Sequence, residues 1–73
     1  MGEPVETYRD GDVWRNRLRG RDALPGDHPT QEAAAEAGRC EARTRGVVHI
    51  IRRADGTVAE RNRYPRRSSE LPA

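Results

Sequence analysis

The chain contains no lysine and no phenylalanine, one cysteine, one tryptophan and two tyrosines among 73 residues. A lone cysteine, Cys40, cannot close an internal disulfide, which excludes a stapled secreted scaffold and agrees with a reducing compartment. No apolar run approaches the roughly 20 residues of a membrane-spanning helix, and no charged, apolar and small-residue leader opens the chain. A soluble, cytoplasmic protein with no membrane partner is expected. The shortage of aromatics, with only 33% hydrophobic residues overall, limits the core. Domains of this size bury roughly 60 per cent of the surface that the unfolded chain exposes, so marginal stability, a homodimer or folding on a partner are all open. There is room for one domain, expected over residues 5–65, with residues 1–4 and 66–73 as flexible termini.

Because lysine is missing, all fourteen basic residues are arginine, against twelve acids, for a net charge of +2. Two readings of that bias compete. Arginine is the residue suited to bidentate phosphate contacts and to stacking on bases. A GC-rich genome would also enrich Arg, Ala, Gly and Pro through codon usage alone.

Local pattern gives a fold. Val5 to Arg9 and Val13 to Leu18 are two extended runs joined by Asp10-Gly11-Asp12, a hairpin signal in which glycine supplies the positive φ of the turn. In the second run, alternation puts Trp14, Asn16 and Leu18 on one face and Val13, Arg15 and Arg17 on the other, so Trp14 and Leu18 are expected in the core. Residues 19–29, with Gly20, Pro25, Gly26 and Pro29, read as loop. Thr30 is a suitable N-cap, Glu32 lies in the first turn, and residues 31–45 predict a helix stopped by Gly46 behind Arg43 and Arg45. Spacing suggests a buried stripe of Ala33, Ala37, Cys40 and Thr44, flanked by Ala34 and Gly38.

Val47 to Arg52 is the densest β-branched cluster and predicts a central strand. Ala54-Asp55-Gly56 turns it into Thr57 to Tyr64, ended by Pro65. Two turn types fit Asp55-Gly56, and they differ in which isoleucine joins Val58 on the core face. The expected architecture is α+β in the order ββαββ, a four-stranded antiparallel sheet with one helix packed on one face.

Little in the sequence supports catalysis. His28, His49 and Cys40 show no metal-ligand spacing, so no metal and no cofactor are expected. A Cys40–His49 dyad is opposed by the expected burial of the thiol between helix and sheet, where it acts as a small hydrophobe. The seven glycines are scattered turn residues and form no phosphate loop. The chain therefore reads as a non-enzyme without an evident small-molecule substrate.

The arginine distribution is the feature with functional content. Arg15, Arg17, Arg19 and Arg21 repeat with period two, so on an extended strand they line one side about 6.6 to 6.8 Å apart. With Arg61 and Arg63 from the last strand, and Arg52, Arg53, Arg66 and Arg67 nearby, they form a candidate nucleic-acid surface on the sheet face away from the helix. Trp14 and Tyr64 are candidates for stacking at its edge, though both read as more useful inside. The competing reading is a solvated face whose charges discourage edge-to-edge aggregation. A protein–protein or homodimer contact at the exposed strand edges is the alternative function.

Five segments carry a resemblance: Val5-Glu6-Thr7-Tyr8, Trp14-Arg15-Asn16-Arg17, Thr30 to Ala34 with Ala37-Gly38-Arg39, Val48 to Arg52, and Asp55 to Asn62. In this order they resemble the bacterial "domain of unknown function 2188" family, over roughly residues 5 to 65. The usual helix start in such chains has Lys or Glu where Gln31 stands. The resemblance implies a small, stand-alone, cytoplasmic bacterial protein, and it supplies no catalytic residues to carry over.

Overall fold

A computed structural model of the chain describes residues 2–64. The expected tail, with Arg66 and Arg67, lies outside the described residues, as does Pro65, the expected end of the last strand. The elements are β1 (Val5–Asp10), β2 (Val13–Leu18), α1 (Gln31–Arg45), β3 (His49–Arg52) and β4 (Val58–Asn62). One helix and one four-stranded sheet in the order ββαββ make an α+β fold, as the pattern of runs implies.

The sheet order is β2-β1-β3-β4, and β1 and β3 run parallel at its centre. The sheet is thus mixed, a correction to the wholly antiparallel arrangement. The reason lies in residues 19–29. Instead of looping freely, Ala23 to His28 turns back along the outer edge of β2, with antiparallel bridges Arg17–Ala23 and Trp14–His28. Backbone bonds from Leu24 N–H to Asn16 O at 2.8 Å and between Trp14 and His28 in both directions hold it there. The chain thereby regains the Trp14 end of the sheet before α1 begins. The helix then spans back, and β3 must start beside Val5 and run with β1. Two hairpins alone do not fix this, because the direction of the second depends on where the connection delivers the chain.

The helix ends follow their sequence signals. Thr30 is extended (φ −136°, ψ 160°) and its Oγ1 accepts from Ala33 N–H at 3.1 Å. Gly46 takes the left-handed conformation (φ 69°) and donates its N–H to Ala42 O, the stop that a β-carbon would oppose.

The buried helix stripe differs from expectation. Ala34, Ala35, Gly38 and Ala42 face the sheet, whereas Ala33, Cys40 and Thr44 are exposed. Cys40 is therefore a surface thiol and not a core hydrophobe. The rotation is fixed by polar contacts that periodicity does not contain: Asn16 Nδ2 donates to Ala34 O at 3.0 Å, and Gln31 Nε2 donates to Arg52 O at 3.0 Å. Small residues occupy several faces of this helix, so apolar spacing alone cannot orient it.

The core has two parts. At one end Val5, Ala42 and Val47 are buried together, with Leu18 and Tyr64 packed against them. In the middle, where the helix crosses β1, the contact is polar: Thr7 and His49 are fully buried and Asn16 is 5% exposed. Leu18 joins the core as expected, while Trp14 is only half-buried and Asn16 holds the central place on that face. A β-carbon on Gly38 would lie 2.5 Å from Asn16 Oδ1 and 2.7 Å from both His49 Nε2 and Thr7 Oγ1. Glycine here is what lets the helix backbone approach the polar layer.

The second hairpin resolves the alternatives at Asp55-Gly56. Gly56 N–H donates to Arg53 O at 2.9 Å, and Gly56 takes φ 92°, the type I turn with a glycine bulge. Asp55 accepts from both the N–H and the Oγ1 of Thr57. Pairing runs His49–Asn62, Ile50–Arg61 and Ile51–Glu60, then shifts so that Arg52 meets Val58. Ile51 consequently lies on the helix side. The same shift moves Val58 off the helix face, leaving it 41% exposed and outside the core.

Candidate nucleic-acid interface

Alternation from the registers above assigns the face away from the helix. Glu6 and Tyr8 of β1, Arg15 and Arg17 of β2, Ile50 and Arg52 of β3 and Arg61 of β4 share it. The sequence implies a face open to solvent, yet Glu6 is 2% exposed and Ile50 is 1% exposed. For Glu6 the cover comes from Arg17, Arg19 and Arg52, whose side chains converge on its carboxylate.

Glu6 is the hub. Its Oε1 accepts from Arg17 Nε at 2.9 Å, and its Oε2 accepts from Arg19 Nε at 3.2 Å and from Arg52 Nη2 at 3.0 Å. Burial pushes the Glu6 carboxyl up, but the hydrogen bonds from Arg52, Arg17 and Arg19 outweigh that and hold it below the ordinary carboxylate range. Three cations share one anion, so the cluster carries an excess of two positive charges. Arg17 and Arg19 turn the inner Nε edge to Glu6, with side chains 39% and 49% exposed. Each guanidinium carries further N–H donors on its terminal nitrogens, beyond the Nε that Glu6 engages. Arg52 is more enclosed, with Nη1 donating to Gly56 O at 2.8 Å. The Arg17 guanidinium also stands 4.4 Å from the centroid of the Tyr8 ring.

The other expected site residues are placed differently. Arg15 lies between two carboxylates, 2.9 Å from Asp27 and 3.5 Å from Asp10, so it adds no net positive charge to the row. Arg19 follows the end of β2 but still reaches Glu6. Arg21 does not extend the row: its N–H closes a turn on Leu18 O at 2.9 Å, and Gly20 with φ 77° redirects the chain between them. Arg61 and Arg63 are exposed and form no ion pair among the described residues. Arg53 is tied into its own hairpin through Thr57 Oγ1 and Val58 O.

Two members of the cluster, Glu6 and Tyr8, escape a reading of arginine spacing alone, and Arg52, expected only near the surface, proves to join Arg17 and Arg19 on one carboxylate. Glu6 and Tyr8 belong to the strand next to the row, and Arg52 comes from β3, so only the register unites them. Trp14 and Tyr64, the expected stacking residues, are elsewhere: Trp14 is on the helix side of β2 and Tyr64 packs on the apolar cluster. No group of three or more His, Cys, Asp or Glu side chains arranged to hold a metal ion occurs among the described residues.

The helix side carries a second chemistry. With Thr7 Oγ1 donating to Asn16 Oδ1, the hydroxyl is left to accept from His49 Nε2 at 2.8 Å. His49 is then the neutral Nε2–H tautomer, and its buried Nδ1 has no partner among the described residues. Burial lowers its pKa, the nearby Arg39 lowers it further, and Glu60 opposes them. This imidazole is a structural strut.

No helix among the described residues is long and apolar enough to cross a membrane. No curated protein and no solved structure matches the chain. A family model does match, over residues 5–64, a span that includes the four strands, the helix and every member of the Glu6 cluster. The chain thus belongs to the family described as "Uncharacterized protein conserved in bacteria (DUF2188)".

Proposed function

We propose that this chain is a non-enzymatic module that binds nucleic-acid phosphates, without reading sequence, through the sheet face opposite α1. The observation that carries the reading is the Glu6 cluster. A buried carboxylate fixes the inner edges of Arg17 and Arg19 and, with Arg52, leaves a half-exposed site with two positive charges in excess. Such a site suits phosphate oxygens, which accept the paired donors of a guanidinium edge. Arg61 and Arg63 extend the positive surface toward β4. The cytoplasm, where nucleic acid is abundant, is the location that goes with this reading.

Gel shift of a labelled oligonucleotide across a salt series is the test. Binding is expected to weaken steeply as salt rises, because phosphate neutralisation releases counterions. The Arg17→Ala, Arg19→Ala double variant is expected to reduce both affinity and the salt slope, by roughly one for each phosphate that is no longer neutralised. Arg15→Ala is expected to weaken binding less, because Asp10 and Asp27 already neutralise that side chain. Unchanged mobility with micromolar protein at low salt overturns the proposal.

A second reading rests on a different observation. Ala23 to His28 covers the outer edge of β2, whereas the outer edge of β4 has no backbone partner among the described residues, and exposed Val58 of that strand lies on the face away from the helix. An uncovered edge of this kind supports self-association into a homodimer. Sedimentation at micromolar concentration decides it: a dimer that Val58→Lys dissociates supports the reading, and a monomer removes it.

A further inference from the structure

We propose that the phosphate-binding face is built for single-stranded nucleic acid, with a base stacked on the Arg17–Tyr8 pair while the flanking phosphates meet the outer edges of Arg17 and Arg19. This rests on the phosphate-binding reading above and adds the class of nucleic acid. Three features carry it.

The first is the stack. Tyr8 lies on the central strand β1, half-buried on the same face as Glu6, and the Arg17 guanidinium covers its ring at 4.4 Å. Arg17 therefore has its guanidinium beside an aromatic ring and its Nε held by Glu6, with the side chain 39% exposed. Guanidinium planes and aromatic rings are the surfaces on which unpaired bases stack. In a duplex the base faces are already stacked on their neighbours.

The second is shape. A helix or a two-stranded ribbon enters a major groove about 12 Å wide. Here the arginine-bearing strand is not at a free edge, because β1 flanks it on one side and Ala23 to His28 on the other. Four strands plus that segment span about 19 Å at a strand spacing of about 4.8 Å, too broad to enter the groove. The helix α1 lies on the opposite face, so among the described residues no element projects from this one.

The third is direction. Arg17 and Arg19 follow one another along β2 and its immediate extension, and both bond the same carboxylate. A single backbone laid along β2 meets both in succession, with its bases turned inward toward Tyr8 on the adjacent strand.

Fluorescence anisotropy of the full chain with a labelled mixed-sequence DNA oligonucleotide, about a dozen nucleotides long to span one single-strand site, tests this at one low salt concentration, first with the single strand and then with the strand annealed to its complement. The single strand is expected to bind at least about tenfold more tightly than the duplex. Tyr8→Ala is expected to weaken single-strand binding by roughly fivefold to hundredfold, the range for loss of one stacked base. Tyr8→Phe is expected to restore it, and neither variant is expected to change the salt slope. Equal affinity for both forms, or a duplex preference, overturns the single-strand inference and leaves the phosphate-binding reading standing. Binding to neither form overturns both. Because the wild-type ratio is the primary readout, the outcome does not depend on whether Tyr8→Ala folds.

Discussion

Arg52 Nη2 donates to the carboxylate of Glu6 at 3.0 Å across 46 positions of sequence, and it shares that carboxylate with Arg17 and Arg19. The bond ties β3 to β1 on the face away from the helix. Replacing Glu6 with Ala leaves three guanidiniums facing one another without their anion. Breaking a fully buried pair costs about 3–5 kcal/mol, but these arginine side chains are 26% to 49% exposed. A loss of about 1–3 kcal/mol is expected, read as a lower urea midpoint with an unchanged slope. Nucleic-acid affinity is expected to fall as well, because the inner edges of Arg17 and Arg19 lose their anchor. A gain in affinity would show that Glu6 competes with the ligand instead of positioning its partners.

The Glu6 carboxyl sits below its ordinary range because the three arginine bonds outweigh the effect of burial. A group with a depressed folded pKa contributes stability that is present above its unfolded pKa and is lost as pH falls through the folded one. Unfolding free energy followed from neutral pH into acid is therefore expected to decline below the ordinary carboxylate range. Glu6→Gln is expected to flatten that part of the curve.

His49 gives a separate limb at higher pH. Its pKa is lowered by burial first and then by Arg39, with Glu60 opposing, so the unfolded chain takes up a proton before the folded one. Stability from this group is present above the ordinary imidazole range and falls as pH drops through it toward the folded value. Nitrogen-15 NMR of the imidazole is expected to show a neutral ring protonated at Nε2, titrating below a free imidazole. A charged ring at neutral pH would contradict the arrangement with Thr7.

Gly38→Ala separates helix propensity from packing. Propensity alone favours Ala by roughly 1 kcal/mol in a helix interior. Here the new methyl would meet three polar atoms at 2.5 to 2.7 Å, and overpacking of that kind costs about 1–3 kcal/mol or more. Net destabilisation is expected in a thermal or urea melt. A stabilised variant would mean that the helix can lift from Thr7, Asn16 and His49 without loss.

Cys40 lies on the outer face of α1. A chromogenic disulfide reagent is expected to label it in the folded protein at a rate independent of added urea below the unfolding transition. Labelling that tracks unfolding would restore the buried position that spacing suggests.

Much of the fold is legible in short-range pattern. The Thr30 cap, the Gly46 stop, the two Asp-Gly turns and the alternation of Val13 to Leu18 each act within a few residues, and each forms the element that its chemistry specifies. The misread features depend on distant partners. Ala23 to His28 contains little to bury, and its place beside β2 comes from backbone bonds, to which side-chain pattern is blind. The helix orientation is set by Asn16 and Gln31 reaching backbone carbonyls, while small residues all round the helix leave hydrophobic spacing ambiguous. The arginine row is visible in the sequence as a period of two, but its charge state is not. Asp27 removes Arg15 from the row, and Glu6 unites Arg17 and Arg19 with Arg52 through a register that no single strand reveals.

For phosphate to be bound as proposed, Glu6 must hold the inner edges of Arg17 and Arg19 while their outer edges meet the ligand. Guanidinium-selective NMR during titration with a single-stranded oligonucleotide observes both edges at once. Saturable shifts of the terminal nitrogen protons of Arg17 and Arg19 are expected, with their Nε protons still bonded to Glu6. Terminal signals that stay unmoved at saturating oligonucleotide, or Nε signals that lose their bond to Glu6 on binding, would contradict the proposal.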